Sequence, residues 1–111
     1  MEIQVIEQAG AILAVIIGDI DGKTASIVQE SVLPLVSSGN NCLLDMGKVE
    51  YMSSAGLRLL LMLYRHSAAN KGRLVLCGLS DEIKETMDAT GFLVHFTVVS
   101  NTAEGMAAFA S

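Results

Sequence analysis

Four short apolar runs divide this chain, and the spacing between them decides what it can become. Ala11 to Ile17 is a nearly continuous β-branched stretch, and Cys42-Leu43-Leu44-Asp45, Leu74-Val75-Leu76-Cys77 and Phe96 to Val99 are shorter versions of it. Runs of this length bounded by turn residues read as buried strands. Consecutive runs are separated by enough chain for a helix, which favours parallel pairing through right-handed crossovers. Ahead of them Ile3, Val5 and Glu7 mark an extended segment, and Ala9-Gly10 supplies a tight reversal. The chain therefore opens with a hairpin whose second strand is buried on both faces. The order expected is β-β-α-β-α-β-α-β-α. This is an α/β fold with a single mixed, mostly parallel sheet, an antiparallel N-terminal hairpin and about four helices.

The helices follow from spacing and caps. After the loop Gly18-Asp19-Ile20-Asp21-Gly22, a helix starts near Thr24, with Ala25, Val28, Val32 and Leu35 or Val36 inward. Pro34 removes a hydrogen bond and clashes with the preceding turn, so a kink or altered last turn is expected before Ser38-Gly39. A long helix runs from about Ser54 to Asn70 and ends at Lys71-Gly72, with Leu57, Leu60, Leu61, Tyr64 and Ala68 as its core stripe. Ser80 followed by Asp81 and Glu82 is a well-formed helix start; Ile83 and Met87 face inward and Thr90-Gly91 ends the element. Asn101 or Thr102 caps a terminal helix that packs through Ala103, Met106, Ala107 and Ala110.

One domain, residues 1–111, is what this length supports. Half the residues are apolar but none is Trp, so the core is aliphatic and methionine-filled. Seven basic against twelve acidic residues give 7 − 12 = −5, which speaks against nucleic acid or an anionic membrane as partner. Met1-Glu2-Ile3-Gln4 lacks the basic start and apolar run of a signal peptide, and no apolar stretch approaches the roughly 20 residues a bilayer needs. The expected location is cytoplasmic. Cys42 and Cys77 sit in apolar runs without CxxC spacing and read as buried thiols. His66 and His95 have no ligand-like neighbours, so neither metal nor cofactor is expected.

Chemistry concentrates at Met52-Ser53-Ser54-Ala55-Gly56-Leu57, where an extended segment becomes a helix. A serine there can cap the helix, or carry a phosphate that the helix N-terminus tolerates. A hydrolase reading fails on the motif: Met52 stands where a nucleophile elbow has glycine, and His66 lies three turns further on, with His95 left open by sequence. Phosphate-cradling loops are missing, since Gly18–Gly22 carries acids and no Gly-Lys-Ser/Thr follows. Asp19, Asp21 and Asp45 either form a divalent-metal cluster or act as turn and capping residues; a third reading is that they flank Ser54 for recognition by a kinase. The core stripe of the long helix leaves Ala55, Leu59, Met62 and His66 on another face, flanked by Arg58 and Arg65. Either neighbouring helices cover that face, or it is an apolar strip with basic edges that docks a partner.

These residues together resemble a known family. Gly18-Asp19-Ile20-Asp21 with Thr24-Ala25, then Leu44-Asp45-Met46, Val49-Glu50-Tyr51-Met52-Ser53-Ser54-Ala55-Gly56-Leu57, and Gly72 to Gly78 followed by Gly91-Phe92 look like a STAS domain. The type most similar is the small stand-alone bacterial anti-sigma factor antagonist, and the match spans essentially the whole chain in order. The resemblance implies a binding module rather than an enzyme. It implies binding to an anti-sigma factor that is also a serine kinase, release of a sigma factor, phosphorylation of the serine that starts the helix, and resetting by a PP2C-type phosphatase. Mapped here, Ser54 is the target, Ser53 replaces the family's aspartate and is a competing acceptor, and Ala55 replaces a second hydroxyl. Asp21 matches an acid in the adjoining loop. The partner-binding set expected is Asp21, Met52, Ser53, Ser54, Ala55, Arg58, Leu59 and Met62, on a monomer or weak dimer. The alternative is a STAS subunit of a lipid-transport complex or signalling scaffold in which Ser54 is only a helix cap.

Overall fold

The parallel frame is set by four strands that alternate with helices, as the spacing requires. The structure, a computed structural model, describes residues 1–8 and 10–110. Strands β1 (Glu2–Gln8), β2 (Ala11–Ile17), β3 (Asn41–Lys48), β4 (Arg73–Cys77) and β5 (Thr97–Val99) form one sheet in the order β1-β2-β3-β4-β5. β1 pairs antiparallel with β2 and every other pairing is parallel. Of the expected reversal, Ala9 lies outside the described residues; Gly10 has φ +83°, a conformation glycine adopts without strain. Helices α1 (Ala25–Ser37), α2 (Ser54–Ala69), α3 (Asp81–Ala89) and α4 (Thr102–Ala110) complete the expected order. β3 is longer than its apolar run, because Asn41 and residues 46–48 join the ladder across a register shift between Val15 and Ile17. A 3-10 turn at Leu93–His95, which no periodicity in the chain marks, takes Phe96 out of the last strand.

Alternation along the strands splits the core in two. Ala14, Ile16, Cys42, Leu44, Met46 and Leu76 face α1, α2 and α3, whereas Leu13, Leu43, Val75 and Cys77 face α4. α1 runs through Pro34 and buries Val28, Val32 and Val36. The Ser80 hydroxyl caps α3 by accepting from the Ile83 N–H at 3.2 Å, and Ile83 and Met87 are buried as expected. α4 corrects the sequence reading: Ala103, Ala107 and Ala110 are exposed, while Gly105 is buried and Met106, Ala108 and Phe109 pack on the sheet. An alanine repeat carries little apolar area, so the larger Met106 and Phe109 set the helix rotation. A Cβ at Gly105 would lie 2.5 Å from Leu43 Cδ1, so glycine is what allows α4 to lie this close.

Burial pushes the Cys42 thiol up to about 12. Burial, followed by the charge of the Asp45 carboxylate, pushes Cys77 up to about 11. Both are free thiols. The folded chain at pH 8 is expected to resist a thiol reagent such as DTNB, with two equivalents appearing only on unfolding in denaturant. Rapid modification of either cysteine in the native state would contradict this packing.

Candidate functional site

Ser54 sits where three segments meet beyond the C-terminal ends of the parallel strands. The loop after β2 and the segment before α2 are joined by a parallel bridge between Ile20 and Met52. The Ile20 N–H donates to the Tyr51 carbonyl at 3.0 Å, and the Ser53 N–H donates to the Ile20 carbonyl at 2.8 Å. Gly56 makes the junction possible. A Cβ there would collide with the Met52 side chain and approach Ile20 Cγ2 to 3.0 Å, so both side chains pack under the first turn of α2.

The two serines have different environments. Ser53 is the N-cap residue by backbone, with φ −79° and ψ 176°, but its side chain makes no capping bond. Its backbone belongs to the Ile20–Met52 bridge, and its Oγ is buried without a hydrogen-bond partner among the described residues. Ser54 is the first helical residue and is exposed. The expectation of a serine cap is therefore corrected for α2. Ser53, expected as a competing acceptor, keeps its hydroxyl away from solvent. The first-turn amides have neither a side-chain cap nor an acidic residue beside them. They form an uncompensated positive end, which favours an anion.

The Asp21 carboxylate is held below the usual range by the backbone amides of Thr24 and Lys23. It accepts from the Lys23 N–H at 2.9 Å and the Thr24 N–H at 3.0 Å, while the Thr24 hydroxyl donates to the Asp19 carbonyl at 2.7 Å. This is turn chemistry that orders the loop and starts α1. Asp45 points to the α4 side of the sheet, where it accepts from the Gly47 N–H at 2.9 Å and neighbours Cys77. The sequence reading that brought Asp45 near Ser54 is thus overturned by strand alternation. Among the described residues no cluster of His, Cys, Asp and Glu is suited to a metal ion.

α2 also rotates relative to its periodicity reading. Its buried residues are Gly56, Leu57, Leu59, Leu60, Leu63 and Ser67; Leu61 is only partly buried and Ala68 is exposed. Packing against α1 on one side and Phe96 on the other explains the wider buried arc, with the Tyr64 and Phe96 rings 5.6 Å apart edge to face. Leu59 at 5 % exposure and Met52 at 8 % are core residues, which corrects their place in the expected partner-binding set. Ala55 and Met62 are half-buried and Arg58 is exposed. Tyr51, missed by sequence reasoning, is 56 % exposed three residues before Ser54. Its only signal was an aromatic side chain in a chain with two tyrosines and no tryptophan. His95 stacks near Tyr64 with centroids 5.8 Å apart, about 15 Å along α2 from Ser54 at 1.5 Å per residue. No histidine base therefore serves Ser54, since His66 is further still along the same helix.

A STAS domain model matches residues 2–105. The chain belongs to the STAS domain family. Among curated relatives it is 32 % identical over 101 residues to BtrV of Bordetella bronchiseptica, which is named an anti-sigma factor antagonist, covering 90 % of this chain and 87 % of that protein. It is 30 % identical over 90 residues to the anti-sigma-B factor antagonist of Bacillus subtilis, covering 81 % and 82 % respectively. The fold matches an anti-sigma factor antagonist from Mycobacterium paratuberculosis with a TM-score of 0.89 at 19 % identity, covering 99 % and 94 % of the two chains. Unphosphorylated SpoIIAA, also an anti-sigma factor antagonist, superposes with a TM-score of 0.79 at 14 % identity, covering 99 % and 98 %. This STAS chain is thus of the anti-sigma factor antagonist type, a family of regulatory binding proteins. Among the described residues no helix is long and apolar enough to cross a membrane.

Proposed function

We propose that this chain is a cytoplasmic anti-sigma factor antagonist whose binding to an anti-sigma factor with serine kinase activity is turned off by phosphorylation of Ser54. The observation that carries the reading is the pairing of an exposed Ser54 with an uncapped helix end, in a chain whose curated relatives are named anti-sigma factor antagonists. A PP2C-type phosphatase would reset the switch. The docking face is the outer stripe of α2, on which Ser54, Arg58 and Arg65 are exposed and Met62 is half-buried, extended by Asp21, Ala55 and Tyr51. α2 contains no acidic residue although the chain carries −5, so its outer stripe is locally basic and suits an acidic partner surface. Tyr51 supplies an aromatic anchor of the kind that dominates interface energetics. A helix-cap role for Ser54, which a STAS subunit of another assembly would leave it, has no support in a first turn whose N-cap is Ser53.

Incubation with the cognate anti-sigma kinase and ATP, followed by mass spectrometry, is the direct test. One phosphate on Ser54 is expected, lost in Ser54→Ala and retained in Ser53→Ala. Absence of both modification and kinase binding would sink the reading. Phosphate on Ser53 would keep the switch but move its site.

A further inference from the structure

Resting on the reading of Ser54 as the phosphate acceptor, we propose that Arg58 is the internal receptor of that phosphate and positions it along α2. Both residues are exposed and lie four apart in one continuous helix. Side chains at that spacing are neighbours on the helix surface, with Cβ atoms about 5–6 Å apart. Helical side chains lean toward the N-terminus, so Arg58 reaches back over the turn that begins at Ser54. An anion N-terminal to a cation at this spacing is the favoured order. A guanidinium offers a planar fork of donors to the phosphate oxygens, which an ammonium does not.

The surroundings single out this arginine. Lys23 lies in the adjoining loop, but its charge already bears on Asp21, whose carboxylate also accepts the Lys23 N–H at 2.9 Å. Asp19, Asp21 and Glu50 belong to the loops around the site and oppose an added anion. Among the described residues Arg58 is tied to no carboxylate, and α2 holds no acid to compete for it. Pairing has a consequence for the switch. Phosphate adds about −1.5 to −2 charge, and capturing Arg58 also removes a cation from the docking stripe. The off state then combines a new anion with a withdrawn donor.

The test is phosphorus NMR on the full chain with phosphoserine installed at position 54 by nonsense suppression, so that no kinase is needed. Titrated from pH 4 to 8 at low salt, the parent chain is expected to complete its second phosphate ionisation roughly 0.3 pH unit or more below Arg58→Gln. Arg58→Lys should keep part of that gap, and about 1 M NaCl should largely close it. Identical titrations of the parent and Arg58→Gln would overturn the proposal, as would a larger effect of Lys23→Gln, which would assign the phosphate to the loop. Arg58 is exposed, so circular dichroism should show the variants folded. Failure here leaves Ser54 as a possible kinase target, whereas failure of kinase labelling leaves this geometry testable.

Discussion

Ser54→Asp is expected to bind the anti-sigma partner at least about a hundredfold more weakly than the parent chain while keeping its native circular dichroism spectrum. The intact fold follows from position. Ser54 is exposed in the first turn of α2, where no side-chain cap or acidic residue already neutralises the free amides. A carboxylate there gains about 0.3–1 kcal/mol from the helix end, so the melting temperature should hold or rise slightly. The lost affinity follows from what a partner must do to cover the same spot. It would bring an acidic surface, suited to the basic stripe, against the new anion, and like charges juxtaposed across an interface cost several kcal/mol. About 2.7 kcal/mol suffices for the hundredfold. Isothermal titration of the partner into Ser54→Asp and Ser54→Ala separates charge from contact. Ser54→Ala should stay within a few-fold of the parent, and equal affinity for Ser54→Asp would remove charge as the switch.

How much of this was legible in the chain depends on how local the cause is. The α3 start was readable because its cap lies three residues from its donor, Ser80 to Ile83. The order of elements and the parallel crossovers were readable because buried runs and crossover lengths leave few topologies. The environments of Ser53 and Ser54 were not. Adjacent hydroxyls look alike in sequence, and only the bridge from Ile20 to Met52 decides which one is turned inward. The α4 face escaped because three alanines outnumbered Met106 and Phe109 in the pattern but not in buried area. Asp45 was drawn toward Ser54 by proximity to a strand end, although strand alternation places it behind the sheet.

α2 shows the same limit and allows a direct check: Leu63→Ala is expected to cost about 2–5 kcal/mol of stability. Leu63 is 0 % exposed within the cluster that joins α1, α2 and the sheet, so truncation removes buried methyl groups and leaves a cavity. Leu61, which simple periodicity turned inward, is only partly buried and should cost about 1 kcal/mol or less when cut to alanine. The two readings differ by roughly a quarter-turn of the helix at 100° per residue. That difference arises because α2 has three neighbours rather than one: the sheet beneath it, α1 beside it and Phe96 against Tyr64. A helix so enclosed buries a wide arc, and a sequence rich in leucine on every side cannot mark its centre. Urea unfolding of both variants at equal slope gives the comparison from the midpoints. A costlier Leu61→Ala would turn α2 back to the periodicity reading, swing Arg58 and Arg65 off the line that begins at Ser54, and remove the basic stripe as a docking face.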